Sequence, residues 1–76
     1  MEGRFYRTPN LYEASFLLAK DFSLAGKERV GNKVIILFED SEQIRKAALD
    51  YYNGANIRAK EYSDAYRTLK DYIFDK

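Results

Sequence analysis

The sequence predicts a small α+β domain in which three helices pack on a small antiparallel sheet. Its 76 residues leave room for one domain only. Several stretches repeat apolar residues at helical spacing, and residues 34–38 are β-branched, aliphatic or aromatic throughout. We therefore expect residues 1–76 to form a single domain with the order short strand, helix, antiparallel β-hairpin and two further helices.

The first two predicted elements are a short strand at residues 5–7 and a helix that follows it. Two starts of this helix are open. Thr8, which precedes a proline, can be the N-cap with proline at the first helical position. Alternatively, Asn10 and Glu13 can form a capping box. In both cases the apolar face of the helix extends to about Lys20.

A two-residue alternation over residues 22–29 and the apolar run at residues 34–38 predict an antiparallel hairpin around residues 30–32, with the second strand central. The register is open. A three-residue loop would place an apolar set on one face of the hairpin and a mixed basic and apolar set on the other. The apolar set is Phe22, Leu24, Val34, Ile36 and Phe38. The mixed set is Lys27, Arg29, Lys33, Ile35 and Leu37. A strand that is apolar on both faces indicates cover on both, by helices or by a partner.

Two more helices are predicted after the hairpin. Asp40 or Ser41 can cap the first, which ends at about residue 52, where Asn53 and Gly54 supply a left-handed stop. Residues 55–58 form a connector. The last helix then reaches about residue 74, with oppositely charged residues four positions apart on its outer face. These pairs are Lys60 with Asp64 and Arg67 with Asp71.

The composition excludes much of the known chemistry of protein sites. The chain has no cysteine and no histidine, so we expect no disulfide, thiolate nucleophile, imidazole base or zinc site built from these ligands. The acidic cluster of Glu39, Asp40 and Glu42 is explained by helix capping and the helix dipole. We therefore expect no cofactor, no metal and no catalytic residues, and interpret the protein as not an enzyme.

Two groups of residues are candidates for binding. Lys27, Arg29 and Lys33 form a candidate nucleic-acid-binding patch on the hairpin, although lysines that protect a strand edge give the same pattern. Seven tyrosines are many for this length. Helical spacing assigns three of them to the core, namely Tyr51, Tyr62 and Tyr66, and leaves four as candidate interface residues, namely Tyr6, Tyr12, Tyr52 and Tyr72.

Several short motifs together resemble a protein family. They are Phe5-Tyr6-Arg7-Thr8, Leu11-Tyr12-Glu13-Ala14, Leu24-Ala25-Gly26-Lys27-Glu28-Arg29, Phe38-Glu39-Asp40, Tyr51-Tyr52-Asn53-Gly54 and Tyr66-Arg67-Thr68-Leu69-Lys70. In this order they resemble a family of short bacterial and phage proteins classed as a domain of unknown function. The resemblance covers essentially the whole chain. It implies no activity, ligand or catalytic residue.

The sequence thus favours a small noncatalytic binding or adaptor module that self-associates or binds another protein. The alternative is a nucleic-acid-associated regulator of phage or mobile DNA that uses the basic hairpin. A formal net charge of +1 argues against strong nonspecific DNA binding. No apolar run approaches the length of about 20 residues that a membrane span needs. We therefore expect a cytoplasmic protein without a membrane partner.

Overall fold

The computed structural model describes residues 4–74 and contains three strands and three helices. They are β1 (Phe5–Thr8), α1 (Leu11–Ala19), β2 (Leu24–Val30), β3 (Lys33–Glu39), α2 (Glu42–Tyr52) and α3 (Ala59–Phe74). The α+β class and the element order predicted from the sequence are confirmed. Within residues 4–74 no helix is both long and apolar enough to cross a membrane.

The sheet is antiparallel with the strand order β1-β3-β2, so the apolar strand β3 is central as predicted. Thr8 of β1 lies opposite Ile36, and Leu24 of β2 lies opposite Phe38. Ile36 and Phe38 are both buried. They form one core with residues of all three helices, namely Ala14, Phe16, Leu17, Ile44 and Leu69. The three helices therefore cover the same face of the sheet.

The hairpin between β2 and β3 has a two-residue turn rather than a three-residue loop. Val30 lies opposite Lys33, which leaves only Gly31 and Asn32 in the turn. Gly31 has a φ of 62°, the conformation that a type II′ turn requires at its first central position and that glycine adopts without strain. The turn therefore depends on glycine at this position.

The two-residue turn sets the faces of residues 26–30 of β2, and a β-bulge before them returns Leu24 to the helix-covered face. The register shifts between Leu24 and Gly26, so that Ala25 is an extra residue. Beyond the bulge, Lys27 lies opposite Ile36 and Arg29 opposite Val34. Because directly opposed residues share a face, Lys27 and Arg29 lie on the helix-covered face. The placement of both residues with Lys33, Ile35 and Leu37, considered for a three-residue loop, is therefore wrong.

The helix boundaries follow their caps. Of the two predicted starts of α1, the Asn10 cap is present: its side-chain oxygen accepts hydrogen bonds from the backbone N–H groups of Tyr12 and Glu13. Ser41 rather than Asp40 caps α2 and accepts a hydrogen bond from Ile44. Gly54, with a φ of 84°, ends α2 as predicted.

The face of the sheet opposite the helices, which we call the open face, carries the remaining side chains of the three strands. These are Phe5, Arg7, Gly26, Glu28, Val30, Lys33, Ile35, Leu37 and Glu39. All three helices pack on the other side, and no further element in residues 4–74 remains to cover this one. The molecule is accordingly thin, with extents of 31 × 30 × 18 Å.

Candidate binding surfaces

The carboxylate of Glu13 is buried, with only 3% of the residue exposed. It accepts hydrogen bonds from three side-chain hydroxyls: Thr8 at 2.7 Å, Tyr6 at 2.5 Å and Tyr52 at 3.0 Å. These donors come from β1 and from the end of α2. Glu13 does not close the predicted capping box, because its carboxylate turns towards these hydroxyls. The Thr8 hydroxyl instead accepts a hydrogen bond from the Asn10 backbone N–H.

This cluster favours the protonated form of its tyrosines. Burial, followed by the hydrogen bond to Glu13 and its negative charge, raises the pKa of Tyr6 well above its ordinary value. For Tyr52, the hydrogen bond from Asn10 lowers the pKa, but the hydrogen bond to Glu13, desolvation and the charge of Glu13 together raise it by more. The Glu13 carboxylate is thus held by structural partners and turned away from solvent.

A group of aromatic rings surrounds the N-terminal half of α1. Tyr12 stacks on Tyr66 of α3, with ring centroids 5.6 Å apart and planes 8° apart. The Tyr62 hydroxyl donates to the Tyr12 carbonyl oxygen, and desolvation raises the pKa of Tyr62. Tyr51 contacts both Phe16 and Tyr52. These rings fix α1 against α2 and α3.

The four candidate interface tyrosines are thus used in different contacts. Tyr6 and Tyr52 meet at Glu13, Tyr12 stacks on Tyr66, and Tyr72 lies under the ammonium group of Lys27, 4.6 Å from the ring centroid. Tyr12 and Tyr52 remain more than half exposed. An open, shallow groove of about 500 Å³ lies beside Tyr52. It is lined by Asn10, Phe16, Tyr51, Tyr52, Gly54, Ala55, Ile57 and Tyr62.

The candidate basic residues are divided between the two faces of the sheet. Lys27 donates a hydrogen bond to the carbonyl oxygen of Tyr72, near the end of α3. Arg29 lines a small cavity with Val34 and Ile73 on the same helix-covered side. Lys33 lies on the open face. The three cations therefore do not form one basic surface, because the two-residue turn pairs Val30 with Lys33 and so places Lys27 and Arg29 on the other face.

The open face combines apolar and charged side chains. Ile35 and Leu37 lie partly exposed along the middle of β3, while Phe5 and Val30 are about half exposed on the flanking strands. An ion pair between Arg7 of β1 and Glu28 of β2 crosses β3. Since Arg7 lies opposite Leu37 and Glu28 lies beside Ile35, this ion pair passes over the apolar pair. Both ends of β3 carry charges, Lys33 and Glu39.

The sequence-based interpretation missed the Glu13 cluster and most of the open face. Glu13 carried a signal of its burial, since it precedes the core residues Phe16 and Leu17 by three and four positions on one helical stripe. Its partner Tyr52, in contrast, is 39 residues away in the sequence. The open face required the hairpin register, which depends on the length of the turn.

Within residues 4–74, no group of three or more acidic, histidine or cysteine side chains is arranged to hold a metal ion. The structure thus defines an α+β domain with a three-stranded antiparallel sheet, one covered face and one open face. A family model described as "Domain of unknown function (DUF5659)" matches residues 3–75, and the chain belongs to this family. No curated protein and no solved structure matches the chain.

Proposed function

We propose that this protein is a noncatalytic protein-binding or adaptor module that self-associates through the open face of its sheet. The observation that carries the proposal is the position of Phe5, Val30, Ile35 and Leu37, which are all at least partly exposed on one uncovered sheet face. Sheets usually bury an apolar face against another layer. A second protein surface supplies that layer here.

The mixture of side chains on the open face fits a reversible interface. Interfaces between proteins that also exist separately are only about as apolar as ordinary protein surface, roughly 56–58% by area. The charges of Arg7 and Glu28 are already paired within one chain. They can therefore be covered by another molecule without leaving an unpaired ion.

The noncatalytic part of the proposal is supported by the state of Glu13. This carboxylate is the most buried acidic group among the described residues, and hydroxyls of the same chain occupy it. A general acid or base must reach its substrate within hydrogen-bond distance. The grooves beside it are shallow, whereas small-molecule sites enclose most of their ligand.

The nucleic-acid hypothesis receives less support from the arrangement. It required Lys27, Arg29 and Lys33 on one surface, and Lys33 lies on the opposite face from the other two. Nucleic-acid binding by this protein stays a prediction of the sequence. The bacterial or phage origin and the cytoplasmic location likewise stay predictions.

Sedimentation equilibrium from micromolar to millimolar concentration tests the proposed function. We expect the wild-type protein to form dimers within this range. Ile35→Lys is expected to weaken self-association at least about tenfold, because an ammonium group would lose its water in the middle of the interface. Leu49→Lys is the matched control. Leu49 is 62% exposed on α2, outside the open face, so this variant should associate like the wild type.

Circular dichroism of both variants checks that each keeps the fold. A wild-type protein that is monomeric at every concentration contradicts the proposed self-association. Equal weakening by Ile35→Lys and Leu49→Lys would instead place the interface elsewhere.

A further inference from the structure

The outward-facing residues of β3 form a charge pattern that matches a second copy of the same strand when that copy runs in the opposite direction. Lys33, Ile35, Leu37 and Glu39 occupy successive positions on the open face, from one end of the strand to the other. The order is therefore positive, apolar, apolar, negative. When a second copy of β3 runs in the opposite direction above the first, Lys33 faces Glu39 and Ile35 faces Leu37.

We propose that two copies of this chain pack open face to open face, with their β3 strands antiparallel and related by a two-fold axis that lies between the sheets and crosses the strands. This inference rests on the proposed function and specifies the arrangement of its partner. The two-fold axis makes each dimer contain two contacts between Lys33 of one copy and Glu39 of the other. Such an isologous interface is the commonest kind in protein dimers.

The opposite relative direction of the strands is unfavourable. With the two β3 strands parallel across the interface, Lys33 would face Lys33 and Glu39 would face Glu39. Like charges placed opposite each other across an interface disfavour binding. The charges at the ends of β3 thus select one direction of packing, while Ile35 and Leu37 supply apolar contact between them.

The residues of β2 on the open face are compatible with this arrangement. Glu28 is level with Ile35, and Gly26 is level with Leu37 on the same strand. The two-fold axis consequently places Glu28 of one copy over Gly26 of the other. Because Gly26 has no side chain, the β2 end of each Arg7–Glu28 ion pair meets a low point of the facing sheet.

The size of the open face predicts weak association. Strands are spaced about 4.8 Å apart and rise about 3.4 Å per residue, so three strands with a seven-residue centre have a footprint on the order of 300 Å². Stable interfaces bury about 800 Å² per partner. We therefore expect dissociation constants in the micromolar to millimolar range. The net charge of +1 adds little repulsion between copies.

Charge exchange at the two ends of β3 tests the arrangement. Lys33→Glu makes both ends acidic, and Glu39→Lys makes both ends basic. Each single variant alone should dimerise at least about tenfold more weakly than the wild type, since both symmetric contacts become repulsive. A mixture of the two should recover association as a heterodimer. The double variant Lys33→Glu/Glu39→Lys should associate like the wild type.

Sedimentation equilibrium of the wild type, both single variants, their equimolar mixture and the double variant supplies the readout. Both side chains are exposed at the ends of β3, so circular dichroism should show an unchanged fold. If the wild type associates and the single variants associate equally well, the arrangement is wrong while the proposed self-association stands. If the mixture and the double variant fail to recover, the arrangement is also wrong. A wild type that never associates overturns both.

Discussion

At the scale of single residues, Glu13 shows how a buried carboxylate is stabilised by hydroxyl donors. Hydrogen bonds to a charged group contribute about 1.5–3 kcal/mol each, and removing a partner of a buried group is more costly than removing both. The Thr8 and Tyr6 hydroxyls come from one strand, and the Tyr52 hydroxyl comes from α2. Glu13 therefore joins β1, α1 and α2 at one point of the structure.

Replacing Tyr6 by phenylalanine should lower the free energy of unfolding at neutral pH by about 1–2 kcal/mol, through loss of the hydrogen bond to Glu13. It should also reduce the loss of stability in alkali. Folding raises the pKa of Tyr6 above its unfolded value of 10.0. Its contribution is therefore fully present below pH 10 and is lost as the pH rises above that value, where only the unfolded chain releases the proton.

Urea unfolding at pH 7 and at several values above pH 10 measures both effects. Tyr12→Phe is the matched control, because it keeps the ring that stacks on Tyr66. We expect its stability at pH 7 to match the wild type, because it keeps every hydrogen bond to Glu13. Tyr52 and Tyr62 also have raised pKa values, so Tyr6→Phe should remove only part of the alkaline dependence. Identical alkaline dependence in Tyr6→Phe and the wild type would contradict the role of the Glu13 cluster.

At the scale of secondary-structure elements, the contact between Lys27 and Tyr72 connects β2 to the end of α3. The ammonium group of Lys27 lies over the Tyr72 ring and donates to the Tyr72 carbonyl oxygen. A cation at this position interacts favourably with the negative end of the helix dipole. The two-residue turn allows this contact, because pairing Val30 with Lys33 places Lys27 opposite Ile36 on the helix-covered face.

Replacing Lys27 by methionine keeps the aliphatic chain and removes the charge and the donor. The last turn of α3 should fray, because a favourable interaction of about 0.3–1 kcal/mol is lost. Amide hydrogen exchange of residues 72–74 should then become about two- to fivefold faster, while the exchange of the core strand β3 stays nearly unchanged. Lys46→Met, on the exposed surface of α2, should leave both rates as in the wild type. Equal exchange in all three proteins would show that Lys27 does not stabilise the helix end.

The elements themselves could be predicted because their signals are local. The caps at Asn10 and Ser41 and the stop at Gly54 lie within a few residues of the backbone groups that they satisfy. The faces of β2 could not be predicted, because they depend on a turn of two rather than three residues and on the bulge at Ala25, which inserts one residue into the alternation. The hydrogen bond between Tyr52 and Glu13 could not be predicted either, since the two residues are 39 positions apart in the sequence.

At the scale of the whole molecule, all three helices lie on one side of a three-stranded sheet, and the fold has two layers. Its one core lies between the sheet and the helices. The opposite side of the sheet is then left to solvent or to a partner. The formal net charge of +1 is small compared with that of nucleic-acid-binding domains, which concentrate positive charge on one surface.

We accordingly expect no binding to single- or double-stranded oligonucleotides in fluorescence anisotropy titrations, even at low salt. Lys27 and Arg29 are on one face and Lys33 is on the other, so few phosphates can be contacted at once. An affinity that falls steeply with added salt would contradict this expectation. Comparing the affinities of Lys33→Ala and Lys27→Ala, which alter opposite faces of the hairpin, would then show which face binds the oligonucleotide.

The extra residue at Ala25 also determines how chains of this family should be aligned. A relative that lacks one residue at this position can form a regular ladder in which Leu24 still faces the helices and Gly26 still faces outward. A one-residue gap at this position therefore leaves the faces of the hairpin residues unchanged. A one-residue gap between Gly26 and the turn would exchange the two sides of β2, so that residues aligned in the two sequences would occupy opposite faces of the protein.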